Sequence, residues 1–339
     1  MNQIVLEAPG RFARAEVAEP TLGPGQALVR VHRIGICGTD LHAFHGRQPF
    51  FTYPRVLGHE LGVEVLALGP GTEDTAIGIG DHCSVEPYLN CGHCIACRRG
   101  KPNCCTDLKV MGVHVDGGMR PLVALPARKL HPSSSLSFDQ LALIETLGIG
   151  AHAVERAALR AEDTVLVIGA GPIGLSVIQF VLASGAALVV ADVSETRLEF
   201  CRRQLGVTHT VAPGLDLPDR LRAIFGGDLP TAVIDATGNP KSMASSFDLP
   251  AHGGRIVFVG LFQGELAFND PNFHRRELDL LASRNALPGT FRDIIAAVEA
   301  GRIDTSPWIT HRLSLDEVPE RFEALSADPA LLKGMIAVA

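Results

Sequence analysis

The chain has 339 residues, of which 46% are hydrophobic and 20% are charged, and its formal net charge at pH 7 is −7. This length exceeds that of one compact core and predicts about two domains. The acidic charge, in a sequence without long basic runs, argues against a nucleic acid or an anionic membrane as partner. Since no segment is apolar for long enough to act as a membrane span or a signal peptide, we expect a cytoplasmic protein.

Short β-rich runs separated by proline and glycine fill the first 130 residues, which is typical of an all-β module with long loops. Within this module, Gly35–His42 and Gly58–Glu60 form two turn-rich segments that we expect to be non-helical. They contain a thiol, imidazoles and carboxylates, which are the ligand types of an open zinc site. The pattern therefore indicates a metal site that can take part in chemistry.

Five of the eight cysteines follow within fifteen residues. The spacing Cys91-x2-Cys94-x2-Cys97-x7-Cys105 is that of a closed tetrahedral zinc site, which has no open position and is structural. In a cytoplasmic protein such a cluster indicates metal binding rather than disulfide bonds. Cys104 lies next to Cys105, and although the register favours Cys105 as the fourth ligand, an exchange of the two stays open.

A regular alternation of strands and helices begins near residue 163, after a predicted helix at 138–158. Strands are predicted at 165–168, 188–191, 232–235 and 255–259, with helices at 174–182 and 197–205 between them. This order predicts a parallel, doubly wound sheet in an α/β protein. We therefore expect a β-rich domain of residues 1–147 and 287–339, with an α/β domain of residues 148–286 inserted into it.

A glycine-rich turn, Gly169-Ala-Gly-Pro-Ile-Gly174, follows the first of these strands and opens a helix. Gly169 permits the tight turn, Gly171 lets the backbone approach a pyrophosphate, and Gly174 lets the helix pack closely on the strand. The free N–H groups at the start of the helix attract phosphates. Asp192 ends the next strand, where an acid accepts hydrogen bonds from ribose hydroxyls and repels a 2′-phosphate. The pattern predicts NAD rather than NADP as the cofactor.

Seven motifs stand in a specific order along the chain: Cys37-Gly-Thr-Asp-Leu-His42, Gly58-His-Glu60, the four-cysteine loop, Asp116-Gly-Gly118, Ile144-Glu-Thr-Leu147, the glycine-rich turn and Ala236-Thr-Gly238. In this order they resemble zinc-containing members of the medium-chain dehydrogenase/reductase family over essentially the whole chain. The resemblance implies a GroES-like catalytic domain, a Rossmann domain, two zinc ions and one NAD per chain, and a homodimer or homotetramer. It also implies the residues that bind the cofactor: Gly169, Gly171, Pro172, Ile173, Gly174, Asp192, Arg197, Thr237 and Gly260. From the residues alone, Arg197 is either a surface charge on its helix or a neighbour of the adenine.

The resemblance further implies a catalytic zinc ion, which lowers the pKa of the substrate hydroxyl. Cys37 and His59 match two of its ligands. Simple alcohol dehydrogenases supply a second cysteine as the third ligand, and Glu145 stands at the matching position here. This replacement resembles the polyol and threonine dehydrogenase branches, in which Glu60, Glu145 or both approach the ion. The choice between the two carboxylates stays open.

Two further residues of the first motif match the family's proton relay. The proton of the substrate hydroxyl would pass to the Thr39 hydroxyl, then to a ribose hydroxyl of the cofactor, then to His42 and solvent. A histidine suits the outer end because its pKa lies near neutral pH. Asp40, between them, would orient a zinc ligand.

The loop 42–55 resembles that of dehydrogenases acting on sugar acids such as L-galactonate or L-gulonate, oxidised at carbon 5. Arginines in or near it would pair with a carboxylate or lie at the surface, and its aromatic residues would line the pocket or belong to the core: Arg47, Arg55 and Arg120, and Phe44, Phe50, Phe51 and Tyr53. We therefore expect NAD-linked oxidation of a secondary hydroxyl of a sugar acid or polyol. The alternatives are an L-threonine 3-dehydrogenase-like or general alcohol dehydrogenase and, from another class, a non-catalytic protein that binds zinc and NAD.

Overall fold

A computed structural model describes residues 1–49 and 51–338 of the chain. These residues form two compact units. One, here called the terminal unit, consists of Met1–Thr146 and Leu287–Ala339, and the other, the central unit, consists of Leu147–Ala286. Over the described residues, no helix is both long enough and apolar enough to cross a membrane.

The strands, numbered in chain order, are β1 (Asn2–Ala8), β2 (Arg11–Glu16), β3 (Gln26–Ile36), β4 (Glu60–Leu68), β5 (His82–Val85), β6 (Tyr88–Leu89), β7 (Lys109–Val110), β8 (Leu122–Pro126), β9 (Leu130–Pro132), β10 (Thr164–Ile168), β11 (Ala187–Ala191), β12 (His209–Val211), β13 (Ala232–Asp235), β14 (Arg255–Phe258), β15 (Asp279–Ala282), β16 (Ile309–Ser314) and β17 (Lys333–Ala337). The helices are α1 (Gly38–Phe44), α2 (Ile95–Arg98), α3 (Phe138–Ala157), α4 (Pro172–Ser184), α5 (Glu195–Leu205), α6 (Leu217–Ile224), α7 (Pro240–Ser245), α8 (Asp270–Arg275), α9 (Pro288–Glu299) and α10 (Val318–Ala327).

The terminal unit is built on a seven-stranded sheet in the order β16-β17-β3-β4-β5-β9, with β8 also paired to β3. Its neighbours are antiparallel except for β16 and β17. In β3, Ala27, Val29 and Val31 are fully buried while Arg30 is exposed, which is the period of two expected of a strand with one face on the core. The alternation fixes the register of the sheet, because a slip by one residue would expose the apolar set.

The pairing of β3 with β4 places two of the predicted ligand segments side by side. β3 ends at Ile36 and β4 begins at Glu60, and Gly35 is paired with Glu60 across the two strands. Gly35 leaves room for the carboxylate, since a Cβ atom there would lie 1.9 Å from Glu60 Oε2. Antiparallel pairing thus brings the residue after β3 close to the residue before β4.

The residues after β3 form a helix, so the prediction that Gly35–His42 is non-helical is wrong. Helix α1 has Cys37 as its N-cap and Asp40 at its third position. The backbone N–H of Cys37 donates to Asp40 Oδ2 at 2.9 Å, as in a capping box. An acid three residues after the cap is a helix-start signal that the turn-rich composition obscured.

The central unit is a six-stranded parallel sheet in the order β12-β11-β10-β13-β14-β15. Val165, Leu166 and Val167 of β10 are consecutive and fully buried, as expected of a parallel strand covered on both faces. β11 and β13 lie on opposite sides of β10, so the chain leaves the carboxyl end of the sheet in two directions and a crevice opens there. The predicted α/β class with a doubly wound parallel sheet is confirmed.

Candidate active site

A cluster of three potential metal ligands lies where β3 and β4 meet in the terminal unit. Cys37, His59 and Glu60 each offer an atom within 4.8 Å of the others. His59 is 5% exposed and Glu60 only 1%. A thiol, an imidazole and a carboxylate are three protein ligands that leave one position of a tetrahedral zinc ion free. We call these three residues the open cluster.

Asp40 lies behind this cluster and is fully buried. Its Oδ1 is 3.8 Å from His59 Nδ1, and neither atom has a hydrogen-bond partner in the described part of the chain. Burial raises the pKa of Asp40, although the charge of His59 opposes the shift. For His59, burial lowers the pKa, but the charges of Cys37 and Asp40 outweigh it and hold the pKa well above its ordinary value.

The charges around the open cluster favour a bound cation. Burying several acids together is costly unless positive charge compensates them. The side chains that carry negative charge when ionised are Cys37, Asp40, Glu60 and Glu145. Among the described residues, the positive charges beside them are those of Lys333 and of protonated His59, so the negative groups outnumber the positive ones. A divalent ion held by the open cluster fits this imbalance.

Lys333 is a partner of Glu60 that the sequence did not predict. Its Nζ donates to Glu60 Oε1 at 2.5 Å and to Thr146 Oγ1 at 3.2 Å, and the side chain is 1% exposed. Burial lowers the pKa of Lys333, but the charges of Glu60 and Cys37 outweigh it, so the pKa is raised. The only signal in the sequence was a lone lysine at the start of an apolar terminal strand.

Glu145 of α3 lies near the open cluster but is not one of its three residues. It is 4% exposed, and its Oε1 accepts a hydrogen bond of 2.5 Å from the hydroxyl of Tyr88. Burial raises the pKa of Glu145, while the charge of His59 lowers it. Burial also raises the pKa of Tyr88 well above its usual range, so the phenol remains a donor. Tyr88 is a second functional neighbour that sequence reasoning missed.

Thr39 and His42 lie on α1, three residues apart and thus on one side of the helix. Thr39 is half-buried, and His42 reaches solvent. Partial burial lowers the pKa of His42, and the charges of Arg47 and His45 lower it further. At neutral pH the imidazole is therefore uncharged and able to accept a proton.

The four-cysteine loop forms a second cluster, in which Cys91, Cys94, Cys97 and Cys105 offer sulfur atoms within 4.8 Å of one another. Cys104 is exposed and stands outside this group. Backbone N–H groups point at the sulfurs: that of Cys91 donates to Cys105 Sγ, and that of Cys94 to Cys91 Sγ, both at 3.3 Å. Backbone N–H groups of Cys97 and Thr106 lower the pKa of Cys94 to about 5. Four converging thiols, one of them readily ionised, fit a closed metal site. We call it the closed cluster.

In the central unit, a cavity of about 630 Å³ lies at the carboxyl end of the parallel sheet. Gly171 is the N-cap of α4, and a Cβ atom on Gly174 would lie 1.8 Å from the carbonyl oxygen of Gly169. The close packing that Gly174 was predicted to allow is therefore present. Six of the predicted cofactor-binding residues line the cavity, namely Gly169, Gly171, Pro172, Asp192, Arg197 and Thr237. The other three, Ile173, Gly174 and Gly260, do not line it, and Gly260 instead packs against Gly238.

Asp192 holds the glycine-rich turn as well as facing the cavity. Its Oδ2 accepts from the N–H of Ala170 at 2.6 Å, and its Oδ1 from the N–H of Ser194 at 2.7 Å. A second acid, Asp235, ends the neighbouring strand and is fully buried. It accepts from the hydroxyl of Thr237 at 2.6 Å. The sequence analysis did not predict a functional role for Asp235, although an acid at the end of a buried strand indicates one.

The predicted substrate arginines differ in their surroundings. Arg55 donates to Asp116 Oδ1 at 3.2 Å and to Thr52 Oγ1 at 2.9 Å. Arg120 is largely buried, which lowers its pKa, whereas Arg47 is exposed. Of the aromatic residues, Phe44 packs in the core of the terminal unit, and Phe51 contacts Tyr53 with ring centroids 4.8 Å apart. Phe50 lies outside the described residues.

Two family models match the chain: an alcohol dehydrogenase GroES-like domain over residues 23–135 and a zinc-binding dehydrogenase over residues 172–300. L-galactonate-5-dehydrogenase of Escherichia coli K12 is 41% identical over 337 residues, covering 99% of this chain and 98% of that protein. Among solved structures, an alcohol dehydrogenase of E. coli CFT073 complexed with NADH superposes with a TM-score of 0.92 at 30% identity, covering 100% of this chain and 99% of that one. A putative zinc-binding dehydrogenase of Sinorhizobium meliloti bound to NADP has a TM-score of 0.89 at 30% identity, covering 99% of both chains.

Proposed function

Because the chain belongs to the zinc-binding dehydrogenase family and is therefore an oxidoreductase, we propose that it oxidises a secondary hydroxyl of a sugar acid or polyol with NAD. The observation that carries the proposal is the buried open cluster of Cys37, His59 and Glu60. Two carboxylates, Glu60 and Glu145, stand in or beside it. A polar, carboxylate-rich site suits a substrate with several hydroxyl groups better than an apolar alcohol. The relative at 41% identity is named for a sugar-acid substrate, which supports the same class.

We assign one zinc ion to each cluster. Cys37, His59 and Glu60 would hold the first ion and leave one position for the substrate, whereas the four cysteines of the closed cluster would surround the second. When bound, the first ion supplies a Lewis acid that lowers the pKa of the substrate hydroxyl, and the nicotinamide supplies the hydride acceptor.

The residues of α1 would carry the proton away from the substrate. Thr39 is half-buried and His42 is exposed one turn later on the same helix, which puts a hydroxyl nearer the interior and an imidazole at the surface. The lowered pKa of His42 keeps its imidazole neutral at pH 7, and a neutral imidazole accepts protons. Their roles are thus a hydroxyl that passes the proton on and a base that releases it to water.

The choice of NAD rests on Asp192, whose carboxylate lines the cavity of the central unit. An Asp192→Ala variant should raise KM for NAD by about tenfold or more relative to KM for NADP, because charged hydrogen bonds contribute about 1.5–3 kcal/mol. Asp219→Ala, which removes an exposed acid of α6, is the matched control. An unchanged ratio of the two KM values would remove the assignment.

The substrate class is tested by following NADH formation with a panel of aldonates, polyols, L-threonine and simple alcohols. We expect turnover with aldonates or polyols that is lost in Cys37→Ser. Activity restricted to L-threonine would replace this proposal with a threonine dehydrogenase, and activity restricted to simple alcohols would replace it with a general alcohol dehydrogenase.

We also propose that the protein forms a homo-oligomer through the edge of the parallel sheet. Strand β15 ends the sheet order, so its outer edge has no strand partner among the described residues. Leu280 on this strand is 42% exposed, and an open apolar edge favours pairing with another chain. Light scattering should show a dimer or tetramer that Leu280→Lys weakens, and a monomeric wild-type protein would contradict the proposal.

A further inference from the structure

Tyr88 lies on the segment that leads into the closed cluster, and its side chain binds Glu145, the carboxylate beside the open cluster. It lies on β6, which pairs with β7 on either side of the four-cysteine loop. The side chain is 2% exposed, and its hydroxyl donates to Glu145 Oε1 at 2.5 Å. A buried phenol needs a hydrogen-bond partner, and here its partner is a carboxylate whose charge acts on His59.

The ring of Tyr88 is held by packing. It meets Phe291 of α9 edge to face, with ring centroids 6.2 Å apart and planes at 73°. Phe291 is fully buried and stacks on His131, with centroids 4.9 Å apart and planes at 19°. The phenol therefore has little freedom to follow Glu145 if that carboxylate were to turn away.

The backbone on the other side of Tyr88 is fixed by buried charges. Glu86, two residues earlier, binds the ammonium of Lys129, and its Oε2 is 3.3 Å from His131 Nε2. The N–H of Glu86 also donates to the carbonyl oxygen of Lys129 at 2.8 Å. Two residues after Tyr88, Asn90 donates to Cys97 Sγ at 3.7 Å. Tyr88 thus sits between two anchored positions on the same short segment.

We propose that Tyr88 is a positioning residue, which fixes the carboxylate of Glu145 and so sets how firmly the open cluster holds its metal and how well the site binds a hydroxylated substrate. This inference rests on the proposed function. A carboxylate that gives one oxygen to a phenol keeps its other oxygen for a metal ion, for a water molecule or for a substrate hydroxyl. With the hydroxyl removed, Glu145 remains buried and loses the hydrogen bond that holds its Oε1.

The first test is Tyr88→Phe in the full-length, zinc-loaded protein. We expect kcat/KM for the best substrate of the panel to fall about 10- to 100-fold, mainly through KM, as when a hydrogen-bond partner outside the set of metal ligands is lost. Zinc release from the wild-type protein to a chromogenic chelator should show a phase that is absent in Cys37→Ser and therefore belongs to the open cluster. In Tyr88→Phe this phase should be about tenfold faster than in wild type. Thr72→Val is the control, since it removes a buried hydroxyl that donates to the carbonyl oxygen of Gly69 and belongs to neither cluster.

The second test asks whether Tyr88 acts through Glu145. In a Glu145→Ala background, Tyr88→Phe should change the release rate by less than about twofold, because its acceptor is already gone. An equal effect in both backgrounds, or wild-type release and kinetics in Tyr88→Phe, would overturn the inference. A wild-type protein that holds zinc at the open cluster but oxidises none of the panel contradicts the proposed function alone, since the release rates still test Tyr88.

Discussion

The closed and open clusters differ in how far along the chain their residues are spread. The closed cluster takes its four thiols from fifteen consecutive residues. The open cluster joins Cys37 to a segment more than twenty residues later, and Glu60 is held by Lys333, which is 273 positions away. A loop that wraps an ion needs little beyond itself, whereas the open cluster exists only because the register of β3, β4 and β17 is correct. Cysteine sulfur atoms are therefore ligands in both clusters, but the geometry of the open cluster depends on strand pairing and that of the closed cluster depends mainly on its own loop.

The largest difference should appear when Cys37 is replaced by alanine. We expect kcat to fall about 10³-fold or more, because a Lewis acid contributes several kcal/mol to the transition state. NADH binding, followed by fluorescence, should be unchanged, and zinc should fall from about two ions per chain to about one. Normal turnover in this variant would show that the open cluster is not where chemistry occurs.

The dependence of the open cluster on distant residues is tested by Lys333→Met. Removing one member of a buried ion pair leaves the other uncompensated, so we expect a loss of about 3–5 kcal/mol in the free energy of unfolding in urea. Lys109→Met is the control, since its pair with Asp107 is exposed and should contribute less than about 1 kcal/mol. If both substitutions lowered the free energy of unfolding equally, Lys333 would not be the residue that stabilises the open cluster.

The closed cluster should respond in stability rather than in chemistry. Cys94→Ser should lower Tm by about 5 °C or more, because metal binding there contributes to folding. The kcat of the folded protein should stay within about threefold of wild type. Thermal unfolding and steady-state kinetics on the same preparation check both statements, and a collapse of kcat at unchanged Tm would reverse the assignments of the two clusters.

The smallest effect is expected for Cys104→Ser. This thiol is exposed and lies outside the closed cluster, so Tm should change by less than about 1 °C and zinc should remain at about two ions per chain. Loss of one zinc ion would instead make Cys104 a ligand in place of Cys105. The pair of variants therefore distinguishes the neighbouring cysteines.

The sequence was most informative where the chemistry is local. The spacing of the four cysteines and of the glycine-rich turn each predicts an arrangement that is complete within fifteen residues or fewer, and the structure brings those residues together. The doubly wound sheet was equally accessible, because each buried strand is a continuous apolar run. Helix α1 was missed because glycine and threonine outweighed the signal of Asp40 at its third position.

The partners of the two carboxylates could not be read from the sequence. Tyr88 is 57 positions from Glu145, and Lys333 is farther still from Glu60. Neither stands in a motif with a fixed spacing to its partner, and each is brought there by sheet pairing and packing. A single tyrosine before a cysteine loop and a single lysine in a terminal strand are compatible with many surroundings. The roles of Tyr88 and Lys333 follow from their positions in the folded chain rather than from any sequence motif.

The two hydrogen bonds that Asp192 accepts have a consequence for redesigning the cofactor preference. The carboxylate that faces the cavity also accepts hydrogen bonds from the N–H groups of Ala170 and Ser194, and it thereby stabilises the glycine-rich turn. Exchanging it for a small apolar residue to admit a 2′-phosphate would loosen the glycine-rich turn, for which we propose a role in binding the pyrophosphate. A successful exchange would keep a short hydrogen-bond acceptor at position 192, such as serine or asparagine, and add the positive charge at a neighbouring position.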